Sequence, residues 1–188
     1  MRRAAGVRGR TFRLTPVTTS RRAASSRTAT PVVVRAATVE DMDVVVALRL
    51  ELLREERRSP LFARPRRDLA ALTRELTATQ LTARTEVTLL AHDGEEAVGL
   101  LRVSVSRGAR LVHPTRYGFI TSAFVRASHR RRGVLRLLLA EAELWCRTHG
   151  LREVRLHCTI ENVEGNLTWD ALGYAPAEVV RRRVLPTD

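Results

Sequence analysis

Between residues 117 and 160 the sequence spells a strand, a glycine-led helix and a second strand, and few folds accommodate that unit. YGFITSAFV (117–125) is rich in β-branched and aromatic residues. Residues 134–148 then carry Leu135, Leu138, Leu139, Ala142, Trp145 and Cys146 on one face at helical spacing. Gly150 ends the helix, and EVRLHCTI (153–160) reads as the returning strand. Such a unit is expected to cross over right-handed with its helix packed on one sheet face. The helix N-terminus then opens near the carboxyl end of the first strand, where ligands lie in α/β folds.

What stands at that opening is SHRRRG, residues 128–133. A helix start already carries partial positive charge from unpaired N–H groups, so Arg130, Arg131 and Arg132 repel it unless an anion arrives. Gly133 lets backbone approach a ligand closely, and the N–H groups from about Arg131 to Arg136, Val134 and Leu135 included, can converge on phosphate oxygens. The demand is for a pyrophosphate or similar group. The stretch lacks the Gly-Lys-Ser/Thr of a Walker loop, and its single glycine is not the dinucleotide G-x-G-x-x-G.

The rest of the chain builds a sheet around this unit. VVVRAAT (32–38) reads as a strand, and Thr38 with Glu40 and Asp41 opens a helix to about Arg58. Pro60 and Pro65 break it, and a second helical pattern runs from Asp68 to about Ala83. EVTLLAHDGEEAVGLLRVSVS (86–106) is a hairpin turning at Asp-Gly. A short helix over Asn166–Leu172 and a last strand over EVVRRRVL (178–185) complete an α/β sandwich on a mixed sheet.

Charge is unevenly spread. The chain has a formal net charge of +13, all 33 basic residues are arginine, and residues 1–35 hold nine of them with no acid. Residues 1–31 read as a flexible basic extension, equally compatible with an organelle transit peptide or a start placed too far upstream. The following domain, 32–188, is only mildly basic, with no nucleic-acid recognition motif, which disfavours a nucleic-acid partner. No apolar run is long enough to span a membrane. Cys146 and Cys158 have neither metal-ligand nor redox spacing and read as reduced thiols of a cytoplasmic protein, with no metal implied.

VRASHRRRGVLRLLL resembles the acetyl-coenzyme-A-binding motif of the GCN5-related N-acetyltransferase (GNAT) superfamily, whose Q/R-x-x-G-x-G/A pattern falls on Arg130, Gly133 and Leu135. Leu135 departs from it, adding bulk at a position where a main-chain donor is still available. Downstream, NVEGNLTWDALGY resembles the family's N-x-x-A-x-x-x-Y-x-x-x-G-F segment through Asn162, Gly165, Trp169, Gly173 and Tyr174. The resemblance covers about residues 32–188 and is weakest over 55–85. It implies a mixed, largely antiparallel sheet flanked by helices, with two central strands splayed at 123–125 and 156–159 around the pantetheine of acetyl-CoA. Phe124 and Val125 would then offer main-chain groups to the pantetheine and thioester, and Asn162 and Trp169 would contact the cofactor.

The implied chemistry is direct attack of a primary amine, on a small molecule or a peptide, on the acetyl thioester in a ternary complex. The family's tyrosine acid is Trp169 here, whose indole N–H donates a hydrogen bond but supplies no proton. Strand 117–125 has no carboxylate where many relatives carry a glutamate base; Thr121 and Ser122 can hold only a water. His113, His157 and Glu86 are candidates by residue type alone, so no catalytic residue is assigned. These departures keep a second reading open, a non-catalytic acyl-CoA-binding or sensing module. Acceptor and oligomeric state, a homodimer included, are left open.

Overall fold

Strand alternation sets the sheet. In the computed structural model, which describes residues 31–185, five strands lie side by side in chain order. These are β1 (Val33–Ala36), β2 (Glu86–Asp93), β3 (Glu96–Arg107), β4 (Arg116–Val125) and β5 (Val154–Leu156). The first four pair antiparallel, while β5 joins β4 in parallel. The hairpin turns where Asp-Gly places it: Asp93 pairs with Glu96, and Gly94 takes the positive φ of 62° that the tight turn requires.

Helices α1 (Met42–Glu55) and α2 (Leu69–Thr82) pack on one side of the sheet, and α3 (Val134–Thr148) on the other. α1 buries Val45 and Leu48 against Leu90, Leu100 and Phe124. α3 buries Val134, Leu138, Leu139, Ala142 and Cys146 against Leu101, Val103 and Ile120. Truncating a fully buried leucine such as Leu138 costs about 2–5 kcal/mol, so each helix is fixed by its apolar stripe rather than by its propensity. α3 comes close because Gly118 has no side chain: a Cβ there would stand 2.5 Å from the Cys146 Sγ.

Three expectations need correction. The helix expected over 38–58 is α1 flanked by two 3-10 turns, Val39–Asp41 and Glu56–Arg58. The short helix near the C-terminus, α4 (Val163–Ala171), starts earlier than Asn166 because Asn162 caps it, its side-chain oxygen accepting the Gly165 N–H at 2.9 Å. The strand expected over 178–185 does not form; residues 175–185 are irregular and expose Val179, Val180, Val184 and Leu185. The pattern was strand-like, but no edge of the described chain pairs with it. The basic extension, save Pro31, lies outside the described residues.

No helix among the described residues is long and apolar enough to cross a membrane. Neither cysteine forms a disulfide; Cys146 is buried and Cys158 half-buried.

Candidate active site

β4 and β5 part company soon after they meet. Their pairing covers only Gly118–Ile120 against Val154–Leu156, so β5 is shorter than the expected 153–160 strand. The cause lies in β4: opposite Arg102 and Val103 stand Ser122 and Ile120, which makes Thr121 an extra residue in the strand. Such a bulge bends the strand that carries it and ends regular pairing. Residues 121–125 and 157–159 therefore diverge, as the expected splay requires.

Pairing also decides which main-chain groups face the gap. The Arg126 N–H donates to the Val98 carbonyl at 2.9 Å, and Phe124 stands opposite Leu100. Antiparallel alternation then turns the N–H and C=O of Phe124 towards β3, and those of Ala123 and Val125 towards the gap. Phe124 is thus a core residue whose main-chain groups belong to the β3 pairing, while Ala123 and Val125 line the gap.

At the start of α3, Gly133 adopts φ 81° and ψ 0°, a left-handed conformation suited to glycine. Nothing lies within 4 Å of where its Cβ would be, so the space before the helix is open. The first helical bond is donated by Leu137 to the Gly133 carbonyl, which leaves the N–H groups of Val134, Leu135 and Arg136 without an intrahelical acceptor. Val134 is buried and pins the turn to the core. The Leu135 side chain packs against the same core, so its bulk is directed away from the opening while its amide remains there. Arg131 takes a positive φ of 60°, giving the turn two left-handed residues and the concave run of amides that suits an anion.

The basic run before Gly133 divides into two groups. Arg126 bonds Glu51 and Glu96, His129 Nε2 lies 3.3 Å from an Asp93 oxygen, and Arg130 grips both oxygens of Glu55 at 2.7 and 2.6 Å. Arg130 Nε also donates to the Val125 carbonyl at 2.9 Å. These three side chains staple the loop to α1 and to the β2–β3 turn. Arg131, Arg132 and Arg136 are exposed and form no ion pair among the described residues. The charge available to an anion is theirs, together with the amides of the turn.

The expected catalytic candidates scatter. His113 is exposed in the β3–β4 connection, at the far end of β4 from the splay, and so is separated from the gap by nearly the whole strand. Glu86 is held by Arg102, whose other nitrogen donates to the Thr121 hydroxyl at 2.6 Å; this carboxylate anchors the bulge. His157 stands edge-on to Phe119, ring centroids 4.9 Å apart. Trp169 packs against Tyr174 and lies beside Cys158, where its indole N–H partly offsets the upward push of burial on the thiol. Asn162 spends its side-chain oxygen on the α4 cap.

Tyr174 does not replace the missing acid. Its hydroxyl donates to Glu143 at 3.0 Å, and burial, reinforced by Glu143, pushes its pKa well above the ordinary tyrosine range. A titratable group that sequence reading passed over is Glu56, half-buried in the 3-10 turn after α1. Burial, then the neighbouring Glu55, raises its carboxyl pKa, and its charge is felt by the Cys158 thiol. Sequence gave little warning, since EERR at a helix end looks like any solvated run.

The sequence matches the acetyltransferase (GNAT) family over residues 49–174. It is 27% identical over 93 residues to the aminoglycoside N(6')-acetyltransferase type 1 of Acinetobacter haemolyticus, a match spanning 49% of this chain and 64% of that relative. Among solved structures, the apo aminoglycoside antibiotic 6'-N-acetyltransferase AAC(6')-Ig of A. haemolyticus superposes with a TM-score of 0.67 at 21% identity, over 83% of this chain and 99% of the other. A predicted acetyltransferase from Clostridium acetobutylicum, solved with acetyl-CoA, gives 0.68 at 14% identity, over 82% and 96%. These likenesses establish a shared fold. With the turn at Gly133 and the diverging strands lying inside the matched stretch, the chain belongs to the acetyltransferase (GNAT) family.

Proposed function

We propose that this protein transfers an acetyl group from acetyl-CoA to a primary amine, on a small molecule or a peptide, with both substrates bound together. The observation that carries the proposal is the open, left-handed turn at Gly133, with free amides and unpaired arginines, set beside two strands that separate. The residues present fit the cofactor: Val134, Leu135 and Arg136 offer amides, and Arg131, Arg132 and Arg136 offer guanidinium groups, to a diphosphate. The Ala123 main-chain groups and the Val125 N–H suit a pantetheine arm, the Val125 carbonyl being held by Arg130.

Acetyl-CoA supplies a thioester, whose carbonyl an amine can attack without a covalent enzyme intermediate. The Val125 N–H is free to stabilise negative charge developing on that carbonyl oxygen. Glu56 accepts the proton released by the attacking nitrogen; its raised pKa makes it a stronger base than an ordinary glutamate. Trp169 packs, and with Tyr174 committed to Glu143 the departing sulfur takes its proton from solvent. Aminoglycosides, named for the relatives above, belong in the first acceptor panel.

The test is release of free thiol from acetyl-CoA against a panel of primary amines, aminoglycosides and peptides included. Turnover with any of them supports the proposal. The absence of the tyrosine acid favours a second reading, a binding module, which predicts tight coenzyme binding and no thiol release with every acceptor.

A further inference from the structure

Two arginines share one carboxylate on the sheet face that α1 and α2 cover. Glu86 of β2 and Arg102 of β3 lie on that face because Leu90 and Leu100, each an even number of residues away, bury against α1 there. Arg49 of α1 reaches the same place. It is half-buried between α1 and α2, its Nη1 donating to the Thr77 hydroxyl at 2.8 Å and to the Gln80 side-chain oxygen at 2.7 Å. Burial, then Arg102, lowers the Arg49 pKa, and Glu86 raises it, so the three charges act on one another.

The positive charge in this cluster is not matched. Each carboxylate of α1 is taken elsewhere: Asp43 by Arg74, Glu51 by Arg126 and Glu55 by Arg130. Glu86 is gripped by Arg102, which leaves Arg49 with neutral oxygens only among the described residues. A guanidinium drawn out of water without a counter-charge is costly, and an anion relieves the cost. Both Arg49 bonds start from Nη1, so Nε and Nη2, the edge that takes a carboxylate through two parallel bonds, have no acceptor among the described residues. Arg102 Nε, sealed from solvent, has none either. The cluster is one anion short.

This deficit borders the gap between the strands. Arg102 donates to the Thr121 hydroxyl at 2.6 Å, and Thr121 is the exposed bulge residue at which β4 leaves β5. Arg49 precedes Glu56 by seven residues, two turns and about 10 Å along one side of the helix and its 3-10 extension. An amine at Glu56 and an anion at Arg49 can therefore belong to one molecule. We infer, on the basis of the acetyl transfer proposed above, that the acceptor is an amine that also carries a carboxylate several bonds from its nitrogen, and that Arg49 binds this carboxylate through Nε and Nη2. Polycationic amines such as aminoglycosides are disfavoured, because they bring more positive charge to a site already in surplus.

Matched dipeptides test this: alanyl-glutamate against alanyl-glutamine, and alanyl-aspartate against alanyl-asparagine, all with amidated C-termini, so that a pair differs only by a carboxylate. At saturating acetyl-CoA the acidic member of at least one pair should have a kcat/KM about 10–100-fold higher, through a lower KM. Arg49→Gln should bring that ratio to about one, and Arg49→Lys, which keeps the charge without the fork, should retain part of it. A purely structural role for Arg49 would move both members alike. Calorimetric titration of the N-acetylated dipeptides into the coenzyme A complex reads the same preference without turnover. Equal rates within both pairs, equal or undetectable binding, or a preference that survives Arg49→Gln would each overturn the carboxylate site. Thiol release without the preference leaves acetyl transfer standing, whereas preferential binding of the acidic products with no thiol release from any amine supports the site and refutes the transfer.

Discussion

Arg130, the first basic residue of the coenzyme-binding motif, has its guanidinium on Glu55 and its Nε on the carbonyl of Val125. It ties the end of α1 to the end of β4 and so sets where Glu56 and the Val125 amide stand relative to each other. Arg131 and Arg132, next in sequence, have no such partners. A double-mutant cycle separates the two roles: Arg130→Ala and Glu55→Gln should be non-additive and lower kcat more than they raise KM for acetyl-CoA. Arg131→Ala with Arg132→Ala should raise that KM by about tenfold, the effect shrinking as salt rises. Identical kinetics for the two sets would remove the distinction.

Glu56 gives the reaction a pH signature. Its folded carboxyl pKa is raised, so the base form is lost at a higher pH than for an ordinary glutamate, and the acid limb of kcat/KM should be shifted upwards accordingly. Glu56→Gln should lower kcat by about 10²–10⁴-fold and flatten that limb. A rate profile that keeps its acid limb in the Gln variant assigns the base elsewhere.

Gly133 and Gly118 are both needed, for different reasons. Alanine at Gly133 meets no neighbour but must hold φ 81°, which costs about 1–2 kcal/mol and disturbs the amides offered to the diphosphate. Alanine at Gly118 keeps an ordinary strand conformation but drives a methyl into Cys146, costing about 1–3 kcal/mol by overpacking. Urea unfolding should show both losses, and Cys146→Ala should recover part of the second and none of the first.

Much of this arrangement is legible in the sequence, and the failures share a cause. The limits of α3 follow from its apolar spacing between Gly133 and Gly150, and the β2–β3 hairpin from Asp-Gly, because local chemistry decides both. The Thr121 bulge, the pairing of Glu86 with Arg102 and the half-burial of Glu56 depend on residues distant in sequence, which periodicity does not register. The arginine run shows the same limit: nothing local distinguishes Arg130 from Arg131, and only the approach of α1 gives one of them a carboxylate. The C-terminal segment is the converse case, a strand-like stretch that pairs with no strand among the described residues.

Asp41 should govern the acid limb of stability. It accepts two bonds from Arg35, both at 2.7 Å, and one from the Thr38 N–H at 2.8 Å, and these partners, Arg35 foremost, hold its carboxyl below the usual range. A depressed folded pKa contributes stability that is present above the unfolded pKa of about 3.9 and is lost as pH falls through the folded value. With Arg35 half-exposed, Asp41→Asn should cost only about 1 kcal/mol at neutral pH and nothing at strongly acid pH. Thermal melts at the two pH values check the difference.

The account rests on the Gly133 turn as a coenzyme site, and calorimetric titration of coenzyme A into the full chain tests that most directly. Saturable heat is expected at one site per chain, weakened by Gly133→Ala and by loss of Arg131 and Arg132. A folded protein that takes up no coenzyme A or acetyl-CoA at millimolar concentration would contradict it.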